Sequence, residues 1–246
     1  MNGQLASEVL KVRTTRTTVG VLAGVLGVAM LATALHAFGL PADKLSAGGD
    51  QLQVFIDVGS NMGMLFAALA GAMAFTGEIR HGTIRPTLIG TPQRRQVVAA
   101  KTAVNLVTGF LIGALASGAV AGAGTLFLRA RGIDVHVAGA DYWELVTGGA
   151  VAAALWSVIG LGVGTVVRSQ VPSIVALFVW VLFVENILLA SFPEIGRFAP
   201  GALARTMAGQ TSGTLDSAVL AALLLAGYAL ATIAAGALTT TRRDFA

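Results

Sequence analysis

The sequence predicts an all-α polytopic membrane protein with six transmembrane helices and both termini cytoplasmic, and three observations carry that prediction. First, 55% of the residues are hydrophobic and only 11% are charged, whereas a soluble domain carries about 25% charged residues. Mean hydropathy is +0.80, and so few charges do not cover a water-facing surface. Second, six stretches reach the roughly 20 apolar residues that cross about 30 Å of hydrocarbon as a helix. Third, the connections between them are alternately rich and poor in Lys and Arg, as loops obeying the positive-inside rule must be.

Taken in order, the first span is 18–40. Its apolar run exceeds the about 7–15 residues of a signal-peptide core, so it reads as a retained helix. Before it, Leu5, Val9 and Val12 recur at helical spacing with Glu8, Lys11 and Arg16 on other faces. This segment, 4–17, reads either as a short amphipathic helix in the headgroup region or as an ordinary basic flank. The second span is 58–76. The third, 102–128, is long enough to tilt or to carry a soluble turn at one end. The fourth and fifth, 145–167 and 171–192, are separated only by Arg168, Ser169 and Gln170, which makes a tight helical hairpin. Pro172 then falls in the first turn of a helix, where a missing N–H costs little. Tyr142 and Trp143 stand at the outer end of the fourth span, where interfacial aromatics belong. The sixth span is 218–239. Ahead of it, the connection 193–217 has a weakly apolar interior, 198–209, suited to a short interfacial or re-entrant helix. Re-entrant backbone is tolerated only where protein or a water-filled cavity satisfies it.

On one side of this plan lie Lys11, Arg13, Arg16, Arg80, Arg85, Arg94, Arg95, Lys101, Arg168, Arg242 and Arg243, against Glu8, Glu78 and Asp244. The other side holds Lys44, Arg129, Arg131, Arg197 and Arg205, against Asp43, Asp50, Asp134, Asp141, Glu144, Glu194 and Asp216. The first set faces the cytoplasm, which requires an even number of spans, and a misplaced span would scramble the segregation. The pI near 10.1 is therefore a matter of topology, and no nucleic-acid partner is expected. Residues 1–246 form a single transmembrane domain with no internal repeat.

Several chemistries find no residues to run on. Cysteine is absent, and His36, His81 and His136 lie far apart with no HExxH pair, so no metal site is expected. A P-loop needs GxxxxGK[ST], and no Gly-Lys pair occurs. No paired carboxylates, His–Asp pair or nucleophile with its base fall at one membrane depth, so the chain is not expected to be an enzyme.

The most informative stretch is the connection 77–101. Glu78 and Arg80 sit in a helix-forming start, and Gly82-Thr83 and Pro86 punctuate it. A second turn at Gly90-Thr91-Pro92 precedes Arg94-Arg95. An acidic residue among basic ones, shown on a loop between anchored spans, suits docking onto a charged partner; a plain basic anchoring loop is the other reading. Within the fifth span, Glu185-Asn186 places an ionisable group about seven residues, roughly 10 Å at a 1.5 Å rise, from the outer end. Such a group costs about 2.5–3.5 kcal/mol at a helix centre. It therefore reads as a wall of a substrate pathway, as a buried interhelical hydrogen bond, or as lying nearer water than the span edges suggest. Asp57 and Asn61, one turn apart in the second span, form a weaker pathway candidate. The Gly-xxx-Gly pairs at 20/24, 59/63, 109/113, 118/122 and 160/164 permit close helix contact.

The pattern of Glu78, then Gly82-Thr83, then a Leu-containing turn ending in Pro92-x-Arg94-Arg95 and Lys101, resembles the permease subunits of type-2 ATP-binding-cassette (ABC) transporters. The resemblance extends to the plan: the N-terminal helix with its Glu8…Lys11 pattern, six spans, and a partly folded outer loop after the fifth. Arg85-Pro86 departs from it, standing where relatives carry a hydrophobic continuation. In that family the first cytoplasmic loop is a coupling helix seated in a groove of the nucleotide-binding subunit. The resemblance implies that Glu78, Arg80, Gly82, Thr83, Pro92, Arg94 and Arg95 engage a separate ATP-binding chain, which would hold the ATP and Mg; this chain itself takes no cofactor. It further implies a second permease copy or a related permease, the plasma (inner) membrane, and export of drugs, peptides or lipids. Two other functions fit the residues: an ion- or proton-coupled carrier using Glu185, and a non-transporting membrane scaffold.

Overall fold

The computed structural model describes residues 2–83, 94–210 and 215–242; the side chains of Asn2, Arg94, Arg95 and 240–242 lie outside the description. Among the described residues there is no strand, and six helices are long and apolar enough to cross a membrane. A short helix, α1 (Asn2–Thr14), leads into the spans α2 (Arg16–Gly39), α3 (Gly48–Arg80), α4 (Arg94–Ala130), α5 (Gly139–Val167) and α6 (Gln170–Ser191). Two short helices, α7 (Pro193–Gly196) and α8 (Pro200–Met207), precede the last span, α9 (Ala218–Arg242). The six predicted spans each correspond to one of these helices. The second and third run further than their apolar stretches, because turns containing polar residues continue the helix at both ends.

Helix α5 is the hub. It packs against α3, α4 and α9, while α2, α6 and α9 turn rows of Val, Leu and Phe outward, as helices facing lipid do. Small residues set the hub's contacts. A Cβ added at Gly164 of α5 would lie 2.7 Å from the Ala72 carbonyl oxygen of α3, and one at Gly113 of α4 would lie 2.7 Å from the Gly149 oxygen of α5. Gly59 and Gly63 seat α3 against Ser117 and Gly113 of α4. Three of the five Gly-xxx-Gly pairs thus mark real seams. Of the other two, Gly24 faces only the Phe66 ring, and Gly20, Gly118 and Gly122 face open space. Gly160→Leu, driven into the Ala68 carbonyl, is expected to cost about 1–3 kcal/mol. Lower thermal stability and lost monodispersity in detergent would read it out. Gly20→Leu is expected to change neither.

The same contacts fix the helix directions. Gly160 meets Ala68 and Gly164 meets Ala72, so α3 and α5 run parallel. Gly113 meets Ala150 while Gly109 meets Ser157, so α4 and α5 run antiparallel. Gly162 meets Thr232 and Gly236 meets Thr165, so α9 is parallel to α5. An up-and-down bundle results. Its basic end carries α1, Arg80, Lys101 and Arg168, and the opposite end carries α7 and α8.

Two turns at these ends have residue-level causes. Helix α3 stops at a Schellman motif: Gly82 adopts φ +69°, the Thr83 N–H donates to the Glu78 carbonyl at 2.9 Å, and the Gly82 N–H to Ile79 at 3.1 Å. Glycine favours that left-handed position. The α5–α6 hairpin turns on Arg168, a non-glycine residue at φ 58°, whose guanidinium donates to the Thr239 carbonyl at 2.6 Å and so ties the turn to α9.

The connection ahead of the last span folds back into protein. Every residue of α8 is buried against α3, α5 and α9, so the short helix expected within 198–209 is present and its backbone is covered by protein. Trp143 is exposed and Tyr142 turns inward, its hydroxyl 2.6 Å from Thr125 Oγ1. Helix α1 covers most of the segment 4–17 read as a short helix. Val9 and Leu10 are exposed, while Glu8 is buried and Lys11 half-buried. The charged face points into the protein because opposite charges wait there.

Candidate functional site

Those charges come from α3 and α4. At the basic end, Glu8 and Lys11 of α1 meet Glu78 of α3 and Lys101 of α4. Lys101 is 1% exposed, and its ammonium donates to Glu78 Oε1 at 2.6 Å, Glu8 Oε2 at 2.9 Å and the Ala74 carbonyl at 3.2 Å. All three of its protons are used. Lys11 donates to Glu78 Oε1 at 2.5 Å and Glu8 Oε1 at 2.7 Å. Two carboxylates and two ammoniums therefore form a closed, neutral square across three helices. Partial burial of Lys11 would lower its pKa, but the hydrogen bonds to Glu78 and Glu8 outweigh this and hold it above the ordinary lysine value.

Position gives this square its interest. Glu78 stands one turn before the Schellman stop, and the connection 84–93 begins directly after it. The end of α3 is thus fastened to α1 and α4 through one carboxylate. Arg80, on the next turn face, reaches the other way: its Nη1 donates to Gln170 Oε1 at 3.2 Å, at the start of α6. Gly82 and Thr83 form the helix stop itself. Of the remaining loop residues, Pro92 lies outside the described residues, as do Arg85-Pro86 and the Arg94 and Arg95 side chains. Beside the square, α1, α2, α3 and α4 enclose a cleft of about 500 Å³.

The intramembrane polar residues lie elsewhere. Glu185 is 1% exposed, and its Oε1 accepts from Trp180 Nε1 and from the Gly201 N–H, both at 2.8 Å. A π turn over Trp180–Val184 inserts the extra residue that brings positions five apart onto one face. Gly201 opens α8, whose first N–H groups have no partners within the helix; the carboxylate supplies one, and a helix N-terminus favours a negative charge. Arg205, one turn along α8, adds a positive charge nearby. Trp156 Nε1 donates to the Pro200 carbonyl at 3.3 Å, fixing the same corner. Asn186 points away, exposed, and donates back to the Leu182 carbonyl at 3.0 Å. Asp57 is half-buried and accepts from Gln53 at 3.2 Å, and Asn61, one turn on, is half-buried on the same face. No hydrogen bond or ion pair among the described residues joins this pair to Glu185.

Pairing of Lys101 with Glu8 and Glu78, and of Glu185 with Gly201 and Trp180, is not legible from spacing. One signal was available for the first: a lysine at the mouth of an apolar span, in a chain with an acid at the preceding span end, asks for a partner. No group of three or more His, Asp or Glu side chains placed to hold a metal occurs among the described residues. No family model matches the chain, and no curated protein is significantly similar to it.

Proposed function

We propose that this chain is the membrane-spanning permease subunit of an ABC exporter in the plasma membrane, paired with a second permease and driven by a separate ATP-binding subunit. The observation that carries the reading is the tie of Glu78 to Lys11 and Lys101. A partner seated on the 84–93 connection would push on a point fastened to α1, α3 and α4 at once, and through Arg80 and Gln170 to α6. In the proposed cycle, ATP-driven closure of two partner subunits moves that point, and the two six-span bundles alternate between inward- and outward-open states. No residue of this chain performs covalent chemistry in it. The half-exposed row of Gln53, Asp57 and Asn61 on α3 gives the second permease, or a watery pathway between the two, a polar face to meet.

Copurification in mild detergent from the native host tests the assignment: a stoichiometric P-loop subunit is expected, and its absence under conditions that preserve other membrane complexes would remove it. The lever is tested separately. Glu78→Arg would break the charge square and so confound coupling with folding, whereas Arg80 is exposed and is the cleaner probe. Arg80→Glu is expected to lower the ATPase activity of the reconstituted complex about fivefold or more, as coupling energies of about 1–3 kcal/mol imply, at unchanged thermal stability. Wild-type activity in that variant would count against the lever.

A further inference from the structure

The cleft beside the charge square changes character with depth. Its floor is largely apolar, formed by Val21 of α2, Ala70 and Met73 of α3, and Val104 and Ile112 of α4. The two polar side chains among them turn back on their own helix, Asn105 donating to the Lys101 carbonyl and Thr108 to the Val104 carbonyl, both at 2.9 Å. Its mouth is polar, where the chain turns from α1 into α2 at Thr15, Arg16, Thr17 and Thr18. At about 500 Å³ it falls within the roughly 300–1,000 Å³ of small-molecule sites. Its walls belong to α2, α3 and α4, three of the helices long and apolar enough to cross a membrane, so a lipid is the apolar ligand closest to hand.

Charge selects which lipid. The two acids at the mouth, Glu8 and Glu78, are matched one for one by Lys11 and Lys101. Arg16 is exposed and takes part in no ion pair among the described residues, so its charge is the mouth's net charge. Lys11 has three donors and commits two of them to the carboxylates, leaving one N–H on a side chain that is 36% exposed. Thr15 and Thr18 hydroxyls lie 3.1 Å apart and share one hydrogen bond, leaving a second hydroxyl proton to donate. Donors and positive charge at the rim above an apolar floor match an anionic headgroup above an acyl chain.

We propose that this cleft is a binding site for one anionic phospholipid, with an acyl chain against Ala70, Met73 and Ile112 and the phosphate held by Arg16, Lys11 and the threonine hydroxyls. The site needs the bilayer and not ATP, so it stands or falls apart from the transport reading.

The test uses the full chain in phosphatidylcholine vesicles containing a minor share of phosphatidylglycerol with a photoactivatable group on its acyl chain. Labelling is expected at the cleft walls, in the segments 15–21, 70–77 and 104–112. Unlabelled phosphatidylglycerol should compete, while phosphatidylcholine and inorganic phosphate should not. A basic residue near the surface contributes about 1 kcal/mol toward anionic lipid, roughly fivefold at 1.4 kcal/mol per tenfold. Arg16→Glu, at an exposed position, should therefore weaken labelling at least fivefold. Ala70→Phe, which fills the floor, should abolish it with thermal stability as the control on folding. Labelling spread evenly over the outward faces of α2, α6 and α9 would overturn the site. Equal competition by phosphatidylcholine would overturn the headgroup preference, and competition by inorganic phosphate alone would reduce the site to an anion site.

Discussion

Lys101→Met is expected to be the most damaging single substitution at the basic end. Lys101 is almost fully buried and, like the half-exposed Lys11, contacts both carboxylates. Without it, Glu8 and Glu78 share only Lys11, and a net negative charge is left in a site that water barely reaches. Removing one partner of a buried ion pair costs about 3–5 kcal/mol, and melting in detergent should show a loss of that order. The companion experiment distinguishes charge balance from packing. Adding Glu8→Gln to Lys101→Met restores neutrality, because Lys11 then answers Glu78 alone. The double variant should recover part of the lost stability, and a double variant no better than the single would assign the loss to packing around the lysine stem.

At the other end, Glu185→Leu should be nearly as costly. It removes the acceptor for two donors, the Gly201 N–H and Trp180 Nε1, and an orphaned buried donor costs about 1–3 kcal/mol. Glu185→Gln keeps an amide oxygen where Oε1 stands and should lose much less. The pair of variants also separates structure from transport. If the carboxylate serves only to hold α8, Glu185→Gln retains both stability and transport. Near-normal stability with transport lost would instead place the negative charge in the pathway. Position 201 is constrained from the same direction, since any Cβ there runs into the Glu185 carboxylate.

Much of the architecture is legible in the sequence, and the reason is the solvent. In hydrocarbon, every backbone polar group must be satisfied within its own helix or against neighbouring protein, so a long apolar run such as 145–167 leaves few alternatives to a spanning helix. The segment 198–209 is half legible: its weak apolarity points to a short helix, but nothing in its spacing shows that Leu203 and Met207 are buried in the core. Helix α1 shows the limit. Its apolar spacing gives Leu5, Val9 and Val12 as a face suited to the headgroup region, but not that Glu8 and Lys11 turn inward, where ionic partners on α3 and α4 hold them. Pairings that span 67 or 93 residues of chain, as Lys11 with Glu78 and Lys101 with Glu8 do, leave no periodic trace. The Glu185–Gly201 bond is closer in sequence, but it depends on a π turn that no residue in Trp180–Val184 announces.

The square of charges also sets a schedule for biogenesis. Ribosomes deliver Glu8 and Lys11 first, Glu78 much later, and Lys101 last. Until residue 101 has emerged, two carboxylates face one ammonium, and docking α1 into that pocket would strand an unbalanced charge. Stable docking of the N-terminal helix is therefore expected only after two spans, α2 and α3, have been synthesised and the start of α4 has followed. Lys101, at the start of α4, completes the balance of charge, which would tie docking of α1 to the placement of the ends of α3 and α4.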